Sequence, residues 1–323
     1  MIAMHLLLLA GAVSVAATRL LPKARWVYQA PGLGLAAWYA VLVTIVISGV
    51  SAASSLLARW PATQKTVCSW WAFCVDVLSG DLGVVGRTIG WAGIGALALL
   101  GSLAVRRLVT VLRETTHLVR EHHETLNLVG RPDAQLGAIV LDDPRPAAYA
   151  LPGWRHRIVI TTGALSDLPQ PQVAAILAHE QAHTRHHHHL LLTGARMLTK
   201  AFPSLSVFAD AHRQIDRLVE LHADDIATRT HAPLDLARAL VTCAEAAARP
   251  ARVPLVPVMA AAAHGGDALE RVHRLLAPPV PMARRQRFAV SIGLVTLTVT
   301  PLAVALLGMA IPALGACLPL PSQ

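Results

Sequence analysis

A chain of 323 residues has room for one or two ordinary domains, yet 54% of it is hydrophobic and its mean hydropathy is +0.50, which excludes a purely water-soluble protein. The net charge of +9 would suit a nucleic-acid surface, but many of the basic residues sit at the ends of uncharged runs. That placement makes the charge topological, and no direct nucleic-acid binding is expected.

The first apolar run, Ile2 to Ala17, is followed by Arg19, Lys23 and Arg25; Val27 to Ala58, Thr88 to Val105 and Phe288 to Gln323 carry no charge at all. A helix of about 20 apolar residues crosses a hydrocarbon core. Four transmembrane helices are therefore expected, at about 2–18, 33–57, 88–105 and within 288–323. Arg106 and Arg107 follow the third run and Arg284, Arg285 and Arg287 precede the fourth. All three basic clusters share one side if the N-terminus lies outside, as the positive-inside rule requires. The first run has no positive segment before it and reads as a retained span rather than a cleaved signal. The outer loop, Arg59 to about Arg87, carries Trp60, Trp70, Trp71 and Phe73, suited to interfacial anchoring. It also carries Cys68 and Cys74, which an oxidising side could pair.

Three regions result: a membrane region over 1–105, an inward domain over 106–287, and a last span with a short outer tail over 288–323. Within the inward domain, Arg106 to Leu128 suits a helix continuing the third span. Strands are predicted at 137–141, 147–151 and 157–162, the last strongest for its β-branched Ile158, Val159, Ile160, Thr161 and Thr162. Pro169 and Pro171 mark a helix start, and that helix can run past His189. Leu190 to Phe208 is apolar but holds Arg196, Lys200 and Pro203, which suits a helix at or dipping into the membrane surface. Helices follow at 210–230, 234–248 and 267–276, with 250–263 as a linker.

The helix that starts at Pro169 and Pro171 carries His179-Glu180-Gln181-Ala182-His183, an H-E-x-x-H pattern. On a helix the two histidines project from one face and can share a metal. Glu180 then sits beside the open position, where it can take a proton from water. With no zinc-ribbon cysteine spacing, the remaining ligand must be histidine or carboxylate. His189 has the spacing of the third ligand in H-E-x-x-H-x-x-G-x-x-H, but His186 stands where that pattern needs glycine. On a continuous helix, ten residues put His189 about 15 Å from His179. His186 to His189 then read as a polar helix surface. Glu220, in Glu220-Leu221-His222-Ala223-Asp224, is the better third ligand: it is 37 residues beyond His183, room for an antiparallel return. Asp224 lies one turn on, placed to hydrogen-bond a ligand histidine. The competing reading makes Glu220 a salt-bridged surface carboxylate among Arg213, Arg217 and Arg229. His222 could face the site or simply cover the helix.

H-E-Q-A-H followed by E-L-H-A-D between membrane spans resembles the integral-membrane zinc metallopeptidases of the BlaR/MecR type, siblings of the HtpX-like and CAAX-prenyl-protease-like gluzincins. Ile158 to Leu165, Val173 to Glu180, and the later Glu270-Arg271-Val272-x-Arg274-Leu275-Leu276 also match that look. The resemblance implies one Zn²⁺ per chain on His179, His183 and Glu220, with Glu180 as general base. It makes Ile158, Val159, Ile160 and Thr161 the strand along which an extended peptide adds. The expected fold is a mainly α membrane protein, with four transmembrane helices plus a cytoplasmic α+β zincin-type metallopeptidase domain holding a small β-sheet. The chain ends at Gln323, where BlaR/MecR receptors carry a penicillin-binding sensor, so it resembles their short forms. The expected activity is hydrolysis of peptide bonds at the cytoplasmic face of the plasma membrane. The expected partners are the lipid bilayer and a protein substrate such as a winged-helix, BlaI-like repressor. The alternatives are HtpX-like quality control of membrane proteins and a non-catalytic adaptor that keeps the zinc fold; the intact Glu180 argues against the adaptor.

Overall fold

The computed structural model describes residues 2–58, 129–151, 157–248 and 265–317, with individual residues between 95 and 126. The outer loop with Cys68, Cys74 and its aromatics, most of the span expected at 88–105, and the linker at 250–263 lie outside the described residues. In chain order the elements are α1 (Ile2–Leu20), a 3₁₀ turn (Leu21–Lys23), α2 (Arg25–Gln29), α3 (Pro31–Ala58), β1 (Arg131–Asp133), β2 (Ala138–Leu141), β3 (Ala148–Leu151) and β4 (Arg157–Thr161). They continue as α4 (Thr162–Asp167), α5 (Gln170–Arg185), α6 (His188–Ala201), α7 (Ser206–Ala227), α8 (Pro233–Ala248), α9 (Gly265–Leu276) and α10 (Arg284–Cys317).

Three described helices are long and apolar enough to cross a membrane: Met4–Lys23, Pro31–Ala53 and Arg284–Leu307. Every described residue between Gly95 and Val129 is helical. Two contacts fix how the spans align. Thr44 Oγ1 donates to the Leu297 carbonyl at 3.1 Å, and further along Leu6, Ala52 and Val304 pack together. α3 and α10 therefore run parallel, and α1, joined to α3 by a short turn, runs against them. Arg19, Lys23 and Arg25 thus gather with Arg284, Arg285 and Arg287 at one end of the bundle. Shared placement of basic ends is the pattern the positive-inside rule describes.

The later half of the chain is built onto that bundle. Val207, Phe208, Ala211, Ile215 and Leu218 form one stripe of α7, spaced three and four residues apart, and pack with Leu35, Trp38, Val41, Leu42 and Ile45 of α3. Gly34 permits the approach, since a Cβ there would meet Leu218 at 3.2 Å and Val27 at 2.8 Å. α6 is braced the same way: the Tyr39 hydroxyl donates to the Leu191 carbonyl. The segment expected to lie at the membrane is thus a helical hairpin, α6 and α7, turning at Phe202–Leu205 and held against a span.

The sheet has the order β1-β2-β4-β3, with β2 and β4 parallel and the other pairs antiparallel. This corrects the expectation for Ile158, Val159, Ile160 and Thr161. β4 is hydrogen-bonded on both sides, and all four residues are buried, so β4 has no edge to offer a peptide. The continuous apolar run that made it the strongest predicted strand is the mark of a strand covered on both faces. The strands at the sheet's edges are β1 and β3. β1 went unpredicted because Arg131-Pro132-Asp133 has no apolar alternation.

Thr161 has a structural job instead. Its hydroxyl donates to the Arg145 carbonyl at 2.7 Å, and accepts from the Ala147 amide at 2.9 Å and the Ala164 amide at 3.2 Å, capping α4. Gly163 lies under the same loop: a Cβ there would fall 2.2 Å from the Pro144 carbonyl oxygen. Gly163→Ala should cost at least the about 1–3 kcal/mol typical of overpacking, read as a lower midpoint in thermal or urea unfolding of the purified protein.

Candidate metal centre

α5 starts after Pro169, with Pro171 in its first turn where proline costs no hydrogen bond. Its faces are all occupied. Val173, Ile176 and Leu177 pack with Ile158 and Ile160 of the sheet, while Ala175 meets Leu236 of α8 and Leu275 of α9. The remaining face turns His179 and His183 toward α7. The helix stops at Arg185, short of the expected reach past His189. His187 takes a left-handed conformation (φ 51°) and α6 begins at His188.

His179 Nε2 and His183 Nε2 are 3.1 Å apart. Glu220 Oε2 lies 3.4 Å from the first and Glu220 Oε1 lies 3.5 Å from the second. Among the described residues this is the one group of three His, Cys, Asp or Glu side chains close enough to hold a metal. Metal–ligand bonds of about 2.0–2.1 Å at the tetrahedral angle set neighbouring donors about 3.3 Å apart. The three donors stand at close to that separation, so the set fits a metal. Glu220 is not a surface carboxylate of the arginine cluster: Arg213 pairs with Asp210, and Arg217 pairs with Glu270. His189 takes no part in the group.

Asp224 is 1% exposed, with Oδ1 3.0 Å from His179 Nδ1, although out of line for a straight N–H···O bond. The residue to which sequence reasoning gave no role in the site, though it lies in the matching Glu270–Leu276 segment, is Arg271 of α9. Its guanidinium grips Asp224 with Nε to Oδ2 at 2.9 Å and NH2 to Oδ1 at 2.8 Å, and its NH1 lies 2.8 Å from Glu220 Oε2. One Arg fork thus ties α9 to both carboxylates of α7. No spacing announced it, because Arg271 sits in an ordinary charged amphipathic helix. The signal that could have found it is the need of two buried acids for a buried cation.

The site's electrostatics follow from this packing. Burial works against ionising Glu220 and Asp224, but the Arg271 guanidinium and His179 outweigh it, and both carboxyls are held low, Asp224 at about 2. Burial pushes Glu180 up, His179 opposing and the Glu220 charge adding to it, to about 7. Burial would lower His179, yet Asp224 and Glu220 raise it to about 9; His183, lacking so close a carboxylate pair, falls to about 4. His188, expected on a polar helix surface, is 1% exposed. It bridges His183 and His222, with ring nitrogens 3.0 Å apart on each side.

The profile of peptidase family M48 matches residues 112–279, more than half of the chain. The chain belongs to that family. The M48 match takes in β1–β4, α4–α9 and every member of the donor cluster, and it identifies the chain as a metallopeptidase, a hydrolase. No solved structure matches the chain.

In this M48 peptidase, removing Arg271 should strand two buried carboxylates. Arg271→Leu is expected to cost about 3–5 kcal/mol, and Arg271→Lys should not restore it, lacking the fork; urea unfolding of metal-free protein measures both. Asp224 also gives a pH signature. Its folded pKa lies below the unfolded value of about 3.9, so its stabilisation is full above that value and lost as pH falls toward about 2. The gap in melting temperature between wild type and Asp224→Asn should therefore close over that window.

Proposed function

We propose that this M48 peptidase is a membrane-anchored zinc endopeptidase that cleaves an extended polypeptide at the membrane surface. The observation that carries this reading is the convergence of His179, His183 and Glu220 from two helices, with Glu180 one residue from the first histidine. His179 Nε2, His183 Nε2 and the Glu220 carboxylate would hold one Zn²⁺ per chain. Zinc supplies Lewis-acid chemistry when bound, activating water at neutral pH.

The chain's own groups do the rest. Glu180 accepts the proton of the attacking water and returns it to the leaving amine. Asp224 holds His179 in orientation, and Arg271 holds Asp224. Substrate pairs along β3: this edge strand packs on α5, and its Ala150 backbone amide is close enough to Glu180 to act on that carboxyl. The basic ends shared by the spans support a cytoplasmic side for that end of the bundle in a plasma-membrane protein, and with it a cytoplasmic site.

For the substrate, the likeness to BlaR/MecR peptidases favours a BlaI-like winged-helix repressor and a signalling role. The packing of α7 on α3 favours a second reading, clearance of polypeptides at the membrane as in HtpX-like peptidases. Scanning purified repressor and unfolded membrane protein for site-specific cleavage separates the two. A reporter at the N-terminus and another in the 134–137 turn should report opposite sides of the membrane.

Glu180→Gln should keep stoichiometric zinc by mass spectrometry while cleavage of an unstructured polypeptide falls by about 10²–10⁴-fold. Glu220→Ala should lose the zinc, and His189→Ala should keep it. Undiminished cleavage by Glu180→Gln removes the mechanism; zinc retained by Glu220→Ala removes the ligand set.

A further inference from the structure

Just beyond the donor cluster, three imidazoles stand in a row. His183 Nδ1 faces His188 Nδ1 at 3.0 Å, and His188 Nε2 faces His222 Nδ1 at 3.0 Å. His222 Nε2 ends the row against α3, where a Cβ on Gly32 would sit 3.2 Å away. The row depends on the break in the chain at His186–His187. A helix continuing from α5 would carry position 188 away from His183; the left-handed His187 turns it inward, where it is 1% exposed.

We infer that His188 is the positioning residue for His183, and that His222 in turn positions His188. The inference rests on His183 ligating metal through Nε2, as proposed above. A neutral imidazole has one N–H and one lone pair, so that choice fixes every tautomer in the row. With the Nε2 lone pair given to the metal, His183 carries its proton on Nδ1 and donates it to His188 Nδ1. His188 must then carry its proton on Nε2 and donate to His222 Nδ1, leaving the His222 proton on Nε2. The hydrogen bonds point one way, and each ring holds the next in orientation. This supplies for the second histidine what Asp224 supplies for the first, and it links a ligand to the first turn of a membrane span.

The test is zinc affinity of the full chain in detergent, by chelator competition, with the d–d spectrum of the cobalt-substituted protein as a geometric readout. His188→Phe keeps the volume and removes both hydrogen bonds. It should weaken zinc binding about 10–100-fold and shift the cobalt spectrum, with the metal-free melting temperature near wild type. His188→Gln, which can both accept and donate, should recover most of the affinity. His222→Phe should weaken binding less, and adding it to His188→Phe should do nothing further, because the row is serial. Zinc binding by His188→Phe within about two-fold of wild type, where about ten-fold or more is expected, overturns the assignment, as does a Gln variant no better than Phe. If His188→Phe does not fold, His222→Phe decides, since that side chain never touches the ligand: unchanged affinity and spectrum overturn the assignment. His183→Ala is the control for the reading beneath it. Zinc retained there sinks the ligand set, whereas zinc lost there but unchanged in His188→Phe sinks the positioning role alone.

Discussion

The buried fork of Arg271 is the interaction on which the rest of the centre depends. Two carboxylates on successive turns of α7, Glu220 and Asp224, repel each other and lose their hydration where α5, α7 and α9 meet. Arg271 satisfies both at once and fastens α9, which otherwise meets α7 through part-buried pairs such as Arg217–Glu270 and Arg274–Asp225. With Glu180 included, three carboxylates face one guanidinium, leaving two negative charges that a divalent cation would balance. Without a cation the protein compensates with a proton on His179, which the two carboxylates raise to about 9 against the effect of burial. Metal binding to such a site releases protons.

Much of the fold was legible because its signals are local. Uncharged runs marked the spans at Met4–Lys23, Pro31–Ala53 and Arg284–Leu307, and helix periodicity with Pro169 and Pro171 marked α5. The cluster of His179, His183 and Glu220 was legible too, from i, i+4 spacing on one helix and an acidic pair on a later one. What failed to show is what depends on tertiary position. The same apolar run that announced β4 could not say that it lies inside the sheet, so the peptide-pairing role was assigned one strand away from the edge. The histidine run looked like a helix surface because nothing local predicts a left-handed His187. Arg271 looked like any exposed helical arginine, since burial of a charge is decided by partners 47 and 51 residues distant in sequence.

α7 shows why the site and the membrane cannot be treated separately. One stripe of this helix, Phe208 through Leu218, is spent on α3, and the turns that follow it carry Glu220, His222 and Asp224. A helix is stiff over that length, so the two functions share one rigid body: a shift of α7 along α3 carries Glu220 with it relative to His179 and His183 on α5. Donor separations of 3.1–3.5 Å leave little tolerance for such a shift. Gly32 and Gly34 set how closely the helices lie, Leu218 filling the space over one and His222 the space over the other. The geometry of the donor set is thereby tied to the packing of a membrane span, and the cluster can be no better ordered than the contact between α3 and α7.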